Sequence, residues 1–382
     1  MTEDTNLQND VPSILVDKTI ASLIHQRLIE ENLLDYRFKI KDIGKQVAIP
    51  IVNLEYLKQQ DWFDDDSFIT KIVKLEMKNS NQIPAEKIVS QISEFFKQKS
   101  TPISEEMLDN LPKKWEMFND LAIIPNDSVN SLEWRRVLAN DESLTKKIWE
   151  IIAECINVSR IARQAEIAVD KIRSSQVKMI KGNSGEVEFV DNGVKFWLDV
   201  TKVMFSSGNV TERHRIGEIN MDGEIVIDAF AGIGYYTLPM LVRSNAKHVY
   251  ACEMNPNSIM ALRHGAELNQ VLDRLTIVEG DNQETLQSLT GIADRLHLGI
   301  LPSSQSTWKL AINCLKSTGG MIHIHMNVKE SEIEDFSDQC IAELNKYAVN
   351  QCGFENVSLQ HVEKVKWYAP HIRHIVLDVA IR

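Results

Sequence analysis

A strand that runs into a glycine turn constrains this chain more than any other feature of its sequence. Residues 224–230 form an apolar segment with an acid near its end, which predicts a buried strand. Ala231, Gly232 and Gly234 follow, and a helix is expected from Tyr235. This order is typical of the nucleotide-binding start of a doubly wound sheet, because glycines admit a ligand closely and the helix amides face it.

Further polar positions follow the turn at the spacing that a bound adenosine requires. The predicted strand 248–252 ends at Glu253, about 20 residues after the turn, where a carboxylate accepts hydrogen bonds from ribose hydroxyls. A third strand, 275–279, is followed by Asp281 and Asn282, which are able to read the adenine amino group. For Glu253 taken alone, the alternative is an ordinary surface acid.

The remaining pattern indicates both the cofactor and the fold class. Thr237 stands where a dinucleotide-binding turn has its third glycine, so the sequence favours S-adenosylmethionine. Strands are expected at 295–300 and 320–325, with 357–359 and 375–379 as a final antiparallel pair. The predicted fold class is therefore α/β: a Rossmann-like class I S-adenosylmethionine-dependent transferase domain with a mostly parallel seven-stranded sheet, preceded by one or more smaller α+β domains.

The length of 382 residues leaves room for two or three domains. We predict a flexible tail at 1–13, an N-terminal α+β region at 14–100, a middle α+β domain at 101–211 and the catalytic domain at 212–382. Within the middle domain, Asn-Gly at 192–193 separates two alternating segments and predicts a β-hairpin.

Composition limits the classes of partner. The net charge of −12 excludes a globally positive surface for nucleic acid but leaves room for a local basic face. Such a face is offered by the segment 158–182, although a solvated helix face is the alternative. Its basic residues include Arg160, Arg163, Arg173, Lys178 and Lys181.

The cysteines and the apolar runs indicate where the protein works. The five cysteines are scattered and form no CxxC pair, so neither a zinc site nor a disulfide framework is expected. The chain has no apolar run of about 18 residues and no signal peptide, and we expect a cytoplasmic protein without a membrane span. His323 and His325 alternate like a metal pair but lack an evident third ligand, so no metal is expected.

Several segments resemble one group of tRNA-modifying enzymes. They are residues 200–209, residues 211–215, the turn motif at 228–237 and, in the middle domain, residues 111–116. The group joins the archaeal and eukaryotic tRNA guanine-N1 methyltransferases with the wybutosine-synthesis transferases. The resemblance covers roughly residue 110 to the C-terminus, and the front more loosely.

The branch within this group determines the implied reaction. The methyltransferases carry Asn-Pro-Pro-Tyr after strand four, where this chain has Leu-Gly-Ile-Leu-Pro-Ser-Ser at 298–304. That segment, and Trp-Tyr-Ala-Pro-His-Ile-Arg-His at 367–374, resemble the family of tRNA wybutosine-synthesizing protein 2. The resemblance implies transfer of the 3-amino-3-carboxypropyl group from S-adenosylmethionine to C-7 of 4-demethylwyosine, beside the anticodon of tRNA(Phe), with release of methylthioadenosine.

The resemblance also assigns residues. Ser206 and Arg213 would contact the methionine part, although a helix cap and a surface arginine are their alternatives. The expected cofactor-binding set is Ser206, Arg213, Phe230, Ala231, Gly232, Gly234, Glu253, Asp281 and Asn282. The basic residues from Arg160 to Lys181 would contact tRNA phosphates. No general base is assigned, and the histidines considered for it are His297, His323 and His371.

Two rival functions remain open at the level of sequence. The chain could be a methyltransferase acting on tRNA guanine, against which the missing Asn-Pro-Pro-Tyr argues. It could also be a non-catalytic subunit that binds S-adenosylmethionine or tRNA, against which the intact binding positions argue. Other enzymes of the wybutosine pathway are conceivable partners, and the sequence assigns none.

Overall fold

The structure is a computed structural model. It describes residues 8–60, 62–63, 68–76, 83–139, 141–164, 175–204 and 209–382. The chain packs into two compact units, one comprising Met1–Glu116 and Ile123–Ile161, the other Met117–Ala122 and Ala162–Arg382. This division differs from boundaries at 100 and 211, and those boundaries stay a prediction.

The first unit contains an antiparallel sheet of four strands. The strands are β1 (Gln8–Asp17), β2 (Lys41–Ile43), β3 (Gln46–Pro50) and β4 (Ile69–Glu76), in the spatial order β2-β3-β1-β4. Consecutive residues of β1 enter different apolar clusters, Ile14 with Leu28 and Leu15 with Leu75, as the period of two in a strand requires. Because β1 begins at Gln8, the expectation of a tail reaching residue 13 is wrong for residues 8–13.

The first unit also contains helices. They are α1 (Ala21–Glu30), α2 (Leu54–Leu57), α3 (Pro84–Gln98), α4 (Glu105–Asp109), α5 (Leu132–Ala139) and α6 (Glu142–Ile156). Helix α3 shows how the sequence builds them, since Ile88, Ile92 and Phe96 recur every four residues and are buried on one face. Phe96 packs edge-on against Trp134, with ring centroids 5.9 Å apart.

Four short strands have the bounds β5 (Glu116–Phe118), β6 (Leu121–Ile124), β7 (Arg160–Arg163) and β8 (Lys178–Lys181). Arg160 and Arg163 are the two ends of β7, and Lys178 and Lys181 are the two ends of β8. The alternative of a solvated helix face is therefore wrong for these four residues. Arg173 lies outside the described residues.

The second unit contains the predicted hairpin, which is confirmed. Strands β9 (Glu186–Asp191) and β10 (Val194–Asp199) pair antiparallel, and Asn192 and Gly193 between them both have positive φ. The later helices are α7 (Val210–Glu218), α8 (Thr237–Val242), α9 (Pro256–Leu268), α10 (Asn282–Thr285), α11 (Trp308–Cys314) and α12 (Ile333–Cys352). Within the described residues, no helix is both long and apolar enough to cross a membrane.

The main sheet of this unit has seven strands, in the spatial order β13-β12-β11-β14-β15-β17-β16. They are β11 (Ile225–Asp228), β12 (His248–Glu253), β13 (Leu275–Glu279), β14 (Arg295–Leu298), β15 (Gly320–Lys329), β16 (Val357–Ala369) and β17 (Ile372–Ile381). Strands β11 to β15 run parallel, and β17 and β16 add an antiparallel pair. The predicted fold class is confirmed.

This strand order places the binding edge. From β11 the chain moves outward through β12 to β13, and then returns to the other side of β11 as β14. At such a switch point, loops leave the carboxyl ends of neighbouring strands in opposite directions and open a crevice between them. The crevice of this unit is therefore expected beyond Asp228, at the carboxyl end of β11.

Candidate active site

The glycine turn after β11 is built from backbone conformations that favour glycine. Gly232 has φ +55° and Gly234 has φ +95°, both in the left-handed region. At Gly234, a Cβ atom would lie 2.7 Å from Leu262 Cδ1 and 2.8 Å from Leu238 Cγ. Both the backbone angle and the close packing of α8 and α9 thus require glycine at this position.

Asp228 and Thr237 lock the two ends of the turn together. Asp228 is fully buried, and its Oδ2 accepts a 2.7 Å hydrogen bond from the Thr237 hydroxyl. Its Oδ1 accepts a weaker one, of 3.3 Å, from the Phe230 amide. Thr237 therefore has a structural function where a dinucleotide-binding turn would carry its third glycine.

Glu253 is held against the turn by backbone amides. Its Oε2 accepts from the Gly232 amide at 2.8 Å, and its Oε1 accepts from the amides of Met254 and Asn255 at 2.9 and 2.7 Å. Burial raises the pKa of the carboxyl group, while these three amides oppose the rise. The end of β12 is thereby fixed at a defined distance from the glycine turn.

A cavity of about 480 Å³ opens at this edge of the sheet, within the range usual for sites that hold a small organic ligand. Five of the expected cofactor-binding residues line it: Phe230, Gly232, Glu253, Asp281 and Asn282. Ala231 and Gly234 belong to the turn but do not line the cavity, and Arg213 does not line it either. Ser206 lies outside the described residues.

Asp281 and Asn282 begin helix α10 at the rim of the cavity. Asp281 caps the helix, its Oδ1 accepting from the Gln283 amide at 2.9 Å. The Asn282 side-chain amide donates to the Ala229 carbonyl at 3.2 Å. The third strand is thus tied to the same turn as the second, and both residues present polar groups to one cavity.

Sequence reasoning missed part of the cavity wall. Tyr235, Tyr236, Ile300, Leu301 and His325 also line it. The Tyr235 hydroxyl donates to the Met204 carbonyl at 2.8 Å and so links the turn to the segment before α7. The two tyrosines follow the glycine turn directly, which is a signal the sequence offered. His325 carries no comparable signal, because its position depends on strand order.

Arg213 is buried in an ion pair, with 2% of its surface exposed. Its Nε donates to Asp191 Oδ2 at 2.9 Å, and His214 Nε2 lies 2.6 Å from the other oxygen of the same carboxylate. Despite the cost of burial, these two partners hold the pKa of Asp191 below its ordinary value. The guanidinium carbon lies 5.9 Å from the centre of the Tyr235 ring. The alternative of a surface arginine is therefore wrong.

Buried histidines form a chain behind the cavity wall. His325 Nε2 lies 3.0 Å from His297 Nε2, and His325 Nδ1 lies 3.0 Å from His374 Nε2. All three rings are at most 1% exposed. Burial, together with the charges of the neighbouring histidines, lowers the pKa of His325 well below its usual value. A neutral His325 therefore donates through one ring nitrogen and accepts through the other.

His323 lies on the same strand but belongs to an ionic network. Its Nδ1 lies 2.6 Å from Asp378 Oδ1, and its Nε2 lies 2.8 Å from the Arg295 guanidinium. Since the guanidinium can only donate, Nε2 must accept and the Nδ1 hydrogen must go to Asp378. Burial lowers the pKa of His323 to about 4. Asp378 also receives two hydrogen bonds from Arg215, which in turn pairs with Glu212.

These groups correct the expectations about the histidines. Among the described residues, Glu212, His297 and His325 each offer one potential ligand atom to a metal, with the three atoms within 4.8 Å of one another. His325 therefore has two potential co-ligands that the sequence did not reveal. Both oxygens of Glu212, however, accept from Arg215 at 2.8 Å, which favours a hydrogen-bond network. That the site holds no metal stays a prediction.

Of the histidines considered as general base, His297 and His323 are buried in the second unit. His371 lies exposed in the turn between β16 and β17, at φ +63°. His325, which the sequence analysis did not consider for this role, is the histidine that lines the cavity.

The parallel sheet with its switch point, the glycine turn and the acid ending the second strand define an S-adenosylmethionine-dependent transferase of class I. A family model described as the TRM5/TYW2 methyltransferase domain matches residues 187–365, and the TYW2 N-terminal domain matches residues 98–185. The tRNA methyltransferase 5 N-terminal domain matches residues 13–55. The chain is 32% identical over 409 residues to the tRNA wybutosine-synthesizing protein 2 homolog of Danio rerio, covering 97% of this chain and 98% of that protein. It belongs to the family of tRNA wybutosine-synthesizing protein 2.

Two further relatives show the range of the family. The tRNA wybutosine-synthesizing protein 2/3/4 of Arabidopsis thaliana is 37% identical over 375 residues; the match covers 96% of this chain but 36% of that protein. This chain thus spans about a third of the length of the plant relative. The crystal structure of TYW2 from P. horikoshii in complex with MeSAdo matches with a TM-score of 0.59 at 30% identity, covering 77% of this chain and 98% of that one.

Proposed function

We propose that the protein transfers the 3-amino-3-carboxypropyl group from S-adenosylmethionine to C-7 of 4-demethylwyosine, beside the anticodon of tRNA(Phe), in wybutosine biosynthesis. The observation that carries the proposal is the loop after β14. Gly299, Ile300 and Leu301 line the cavity where the guanine-N1 methyltransferases place Asn-Pro-Pro-Tyr. These three residues offer no side-chain amide or hydroxyl to hold a guanine edge for methylation, and the next residue of this segment to line the cavity is Ser306.

The proposed reaction is governed by orientation. When bound, S-adenosylmethionine supplies a carbon electrophile: the acceptor carbon bonds to Cγ, the C–S bond breaks, and its electron pair stays on the sulfur of methylthioadenosine. The contribution of the protein is to hold the adenosine so that Cγ faces the acceptor. Such positioning contributes up to about 7–11 kcal/mol to lowering a barrier.

The adenosine would be held by residues at the ends of the parallel strands. Glu253 would accept hydrogen bonds from the ribose hydroxyls, with Gly232 leaving room for a close approach. Asp281 and Asn282 would contact the adenine. Arg213 would act on the methionine carboxylate, and its buried contact with Asp191 supports at least a positioning role. Ser206 stays proposed on the resemblance alone.

The acceptor carbon must also lose its proton, and we assign that proton to His325, which would give up one of its two ring hydrogen bonds to receive it. His325 lines the cavity and is neutral at physiological pH because burial lowers its pKa. A weak base suffices, since the ring carbon loses its proton from a cationic intermediate. The neighbouring imidazoles of His297 and His374 accept and donate hydrogen bonds, so the charge on His325 can be shared along the chain.

The tRNA would bring its base to the cavity from a splayed anticodon loop. Arg160, Arg163, Lys178 and Lys181, at the ends of β7 and β8, are proposed contacts for its phosphates. Arg173 belongs to the same proposal but lies outside the described residues. The cytoplasm is the proposed compartment.

A double-label experiment tests the reaction. S-adenosylmethionine labelled either in the methyl group or in the aminocarboxypropyl carbons is incubated with the protein and with tRNA(Phe) carrying 4-demethylwyosine. We expect label in the tRNA only from the aminocarboxypropyl carbons, together with methylthioadenosine. Label from the methyl group alone would make the protein a methyltransferase. Cofactor binding without any transfer would instead favour a non-catalytic subunit.

A further inference from the structure

The proposed function leaves one exposed feature of the second unit unexplained. The tip of the β16–β17 hairpin, residues 367–373, carries Trp367 at 51% and Tyr368 at 58% exposure. Among the described residues, Trp367 is the one tryptophan exposed to this degree. Exposed aromatic side chains on adjacent positions leave apolar surface in water, which is unfavourable unless something covers it.

The hairpin tip lies at the same edge of the sheet as the cavity. Ile324 is the last residue of β15 that pairs with β14, and β15 continues for five more residues. Strand β17 of the hairpin stays paired with β15 over this extension, as far as the Lys329–Ile372 pair. The loop that lines the cavity with Leu301 also borders β15, because the Asn327 amide donates to the Pro302 carbonyl at 3.1 Å. Both features therefore project from the carboxyl edge.

The lateral distance between them fits a nucleotide or two. From this loop the order across the edge is β15, β17 and β16, and Arg373 on β17 is opposite both Val328 and Trp367. Three strand spacings of about 4.8 Å place Trp367 roughly 14 Å from the loop. A base flanking the one in the cavity would have to reach across about this distance to stack on Trp367.

Arg373 stacks on one face of the Trp367 ring. The guanidinium carbon of Arg373 lies 3.9 Å from the centre of the Trp367 ring. Its Nε donates to Glu330 Oε2 at 2.9 Å, and Lys364 donates to the other oxygen of Glu330 at 2.8 Å. The ring is thus stacked on a guanidinium that an ion pair holds in place, and half of its surface still faces solvent. Little side-chain entropy remains to be lost when a second flat group stacks on it.

Charge indicates what kind of group would stack there. Lys364 and Arg373 are both engaged by Glu330, and Lys329 pairs with Glu332 at 2.8 Å. These three cations are thus engaged by two carboxylates, which leaves them less available to a phosphate. The aromatic faces of the hairpin tip suit the flat face of an unpaired base, since stacking depends little on charge or sequence.

We propose that Trp367, with Tyr368 beside it at the register shift between Trp367 and Ala369, forms a stacking platform for an unpaired base of the anticodon loop that flanks the base in the cavity. The identity of the RNA rests on the proposed function, but the platform does not depend on which group is transferred. It would hold the loop open while the target base occupies the cavity.

Equilibrium binding of tRNA(Phe) to the full chain tests the platform. We expect Trp367→Ala to weaken tRNA binding on the order of 10-fold, and Tyr368→Ala to weaken it measurably. Trp367→Phe should retain most of the affinity because it keeps an aromatic face. The loss should be similar at low and moderate salt, whereas a lost phosphate contact would change the salt dependence.

A control separates stacking from damage to the fold. Leu272 is 39% exposed and precedes β13, at the opposite edge of the sheet, so Leu272→Ala should bind tRNA normally. S-adenosylmethionine affinity, measured by calorimetry, should be unchanged in every variant. Unchanged tRNA affinity in Trp367→Ala, or an equal loss in Leu272→Ala, would overturn the platform. Neither result bears on the label experiment, so the two proposals fail separately.

Discussion

Glu253 fixes the end of β12 and is proposed to hold the ribose, and a substitution tests the second role. Its carboxylate already accepts three backbone amides, and we propose that it also accepts ribose hydroxyls. Glu253→Ala should therefore abolish S-adenosylmethionine binding in calorimetry. Glu267→Ala, at an exposed position on α9, is the matched control. Unchanged affinity in Glu253→Ala would remove the ribose assignment.

Substitution of Arg213 distinguishes two roles for its guanidinium, a contact with the ligand and an internal ion pair with Asp191. If its guanidinium acts on the methionine carboxylate, Arg213→Ala should weaken S-adenosylmethionine more than methylthioadenosine, which lacks that carboxylate. If the ion pair with Asp191 only positions the surrounding backbone, the affinities of the variant for the two ligands should fall equally. Titrating both ligands into the same variant by calorimetry decides between the two, and equal losses would leave Arg213 a positioning residue.

His325 is expected to affect the rate of transfer and leave cofactor binding intact. With His325→Asn, we expect kcat to fall at least about 10-fold, because loss of a general base typically costs 10²–10⁴-fold when proton transfer limits the rate. S-adenosylmethionine affinity should change little. His361→Asn, at an exposed site on β16, is the control. An unchanged kcat in His325→Asn would show that the proton leaves by another route.

At the scale of elements, a comparison of Gly234, in the glycine turn, with Gly223, outside it, distinguishes the cost of backbone strain from the cost of overpacking. Gly223 and Gly234 both have positive φ, but a Cβ atom meets nothing within 4 Å at Gly223 and two leucines at Gly234. Gly223→Ala should cost about 1–2 kcal/mol through strain alone. Gly234→Ala should cost about 1–3 kcal/mol more, because its methyl group overpacks α8 against α9. Thermal unfolding of the two variants measures the difference, and equal losses would rule out the packing argument.

The sequence predicted the parallel strands well and their outer partners poorly. Short apolar runs that end at polar or glycine positions predict strands β11 to β14, so both the existence of these strands and their order along the chain followed from the sequence. Strand β16 was expected over three residues but spans Val357–Ala369. Its stretch around Lys364 and Lys366 is polar and irregular, with register shifts, so no clean alternation marks it.

The histidine chain could not be found from the sequence for a related reason. His297, His325 and His374 are far apart in the sequence and come together only through the order β14-β15-β17. The sequence predicted strands that contain or adjoin these histidines, but it did not predict which strands are neighbours in the sheet. His323 and His325 also occupy alternate positions of β15, yet one joins an ionic network and the other joins the chain.

At the scale of the whole molecule, these buried histidines make stability depend on pH. Burial lowers the pKa of His323 to about 4 and that of His374 to about 3, against about 6.5 in an unfolded chain. Below pH 6.5 the unfolded chain therefore binds more protons than the folded one. The free energy of unfolding should fall as pH falls from 6.5 towards 4, by up to about 1.4 kcal/mol per pH unit for each histidine.

Asp378 does not alter the direction of this effect in that window. Its pKa is lowered by His323 and Arg215, so its contribution is lost only below the ordinary range of a carboxyl group. Calorimetric unfolding between pH 7.5 and 5 should show a falling Tm for the second unit. His374→Gln should reduce that dependence, while His361→Gln, at an exposed site, should preserve it. A Tm of the second unit that stays constant down to pH 5 would mean that these histidines bind protons as readily in the folded protein as in the unfolded chain. An undiminished dependence in His374→Gln would mean that His374 does not contribute to it.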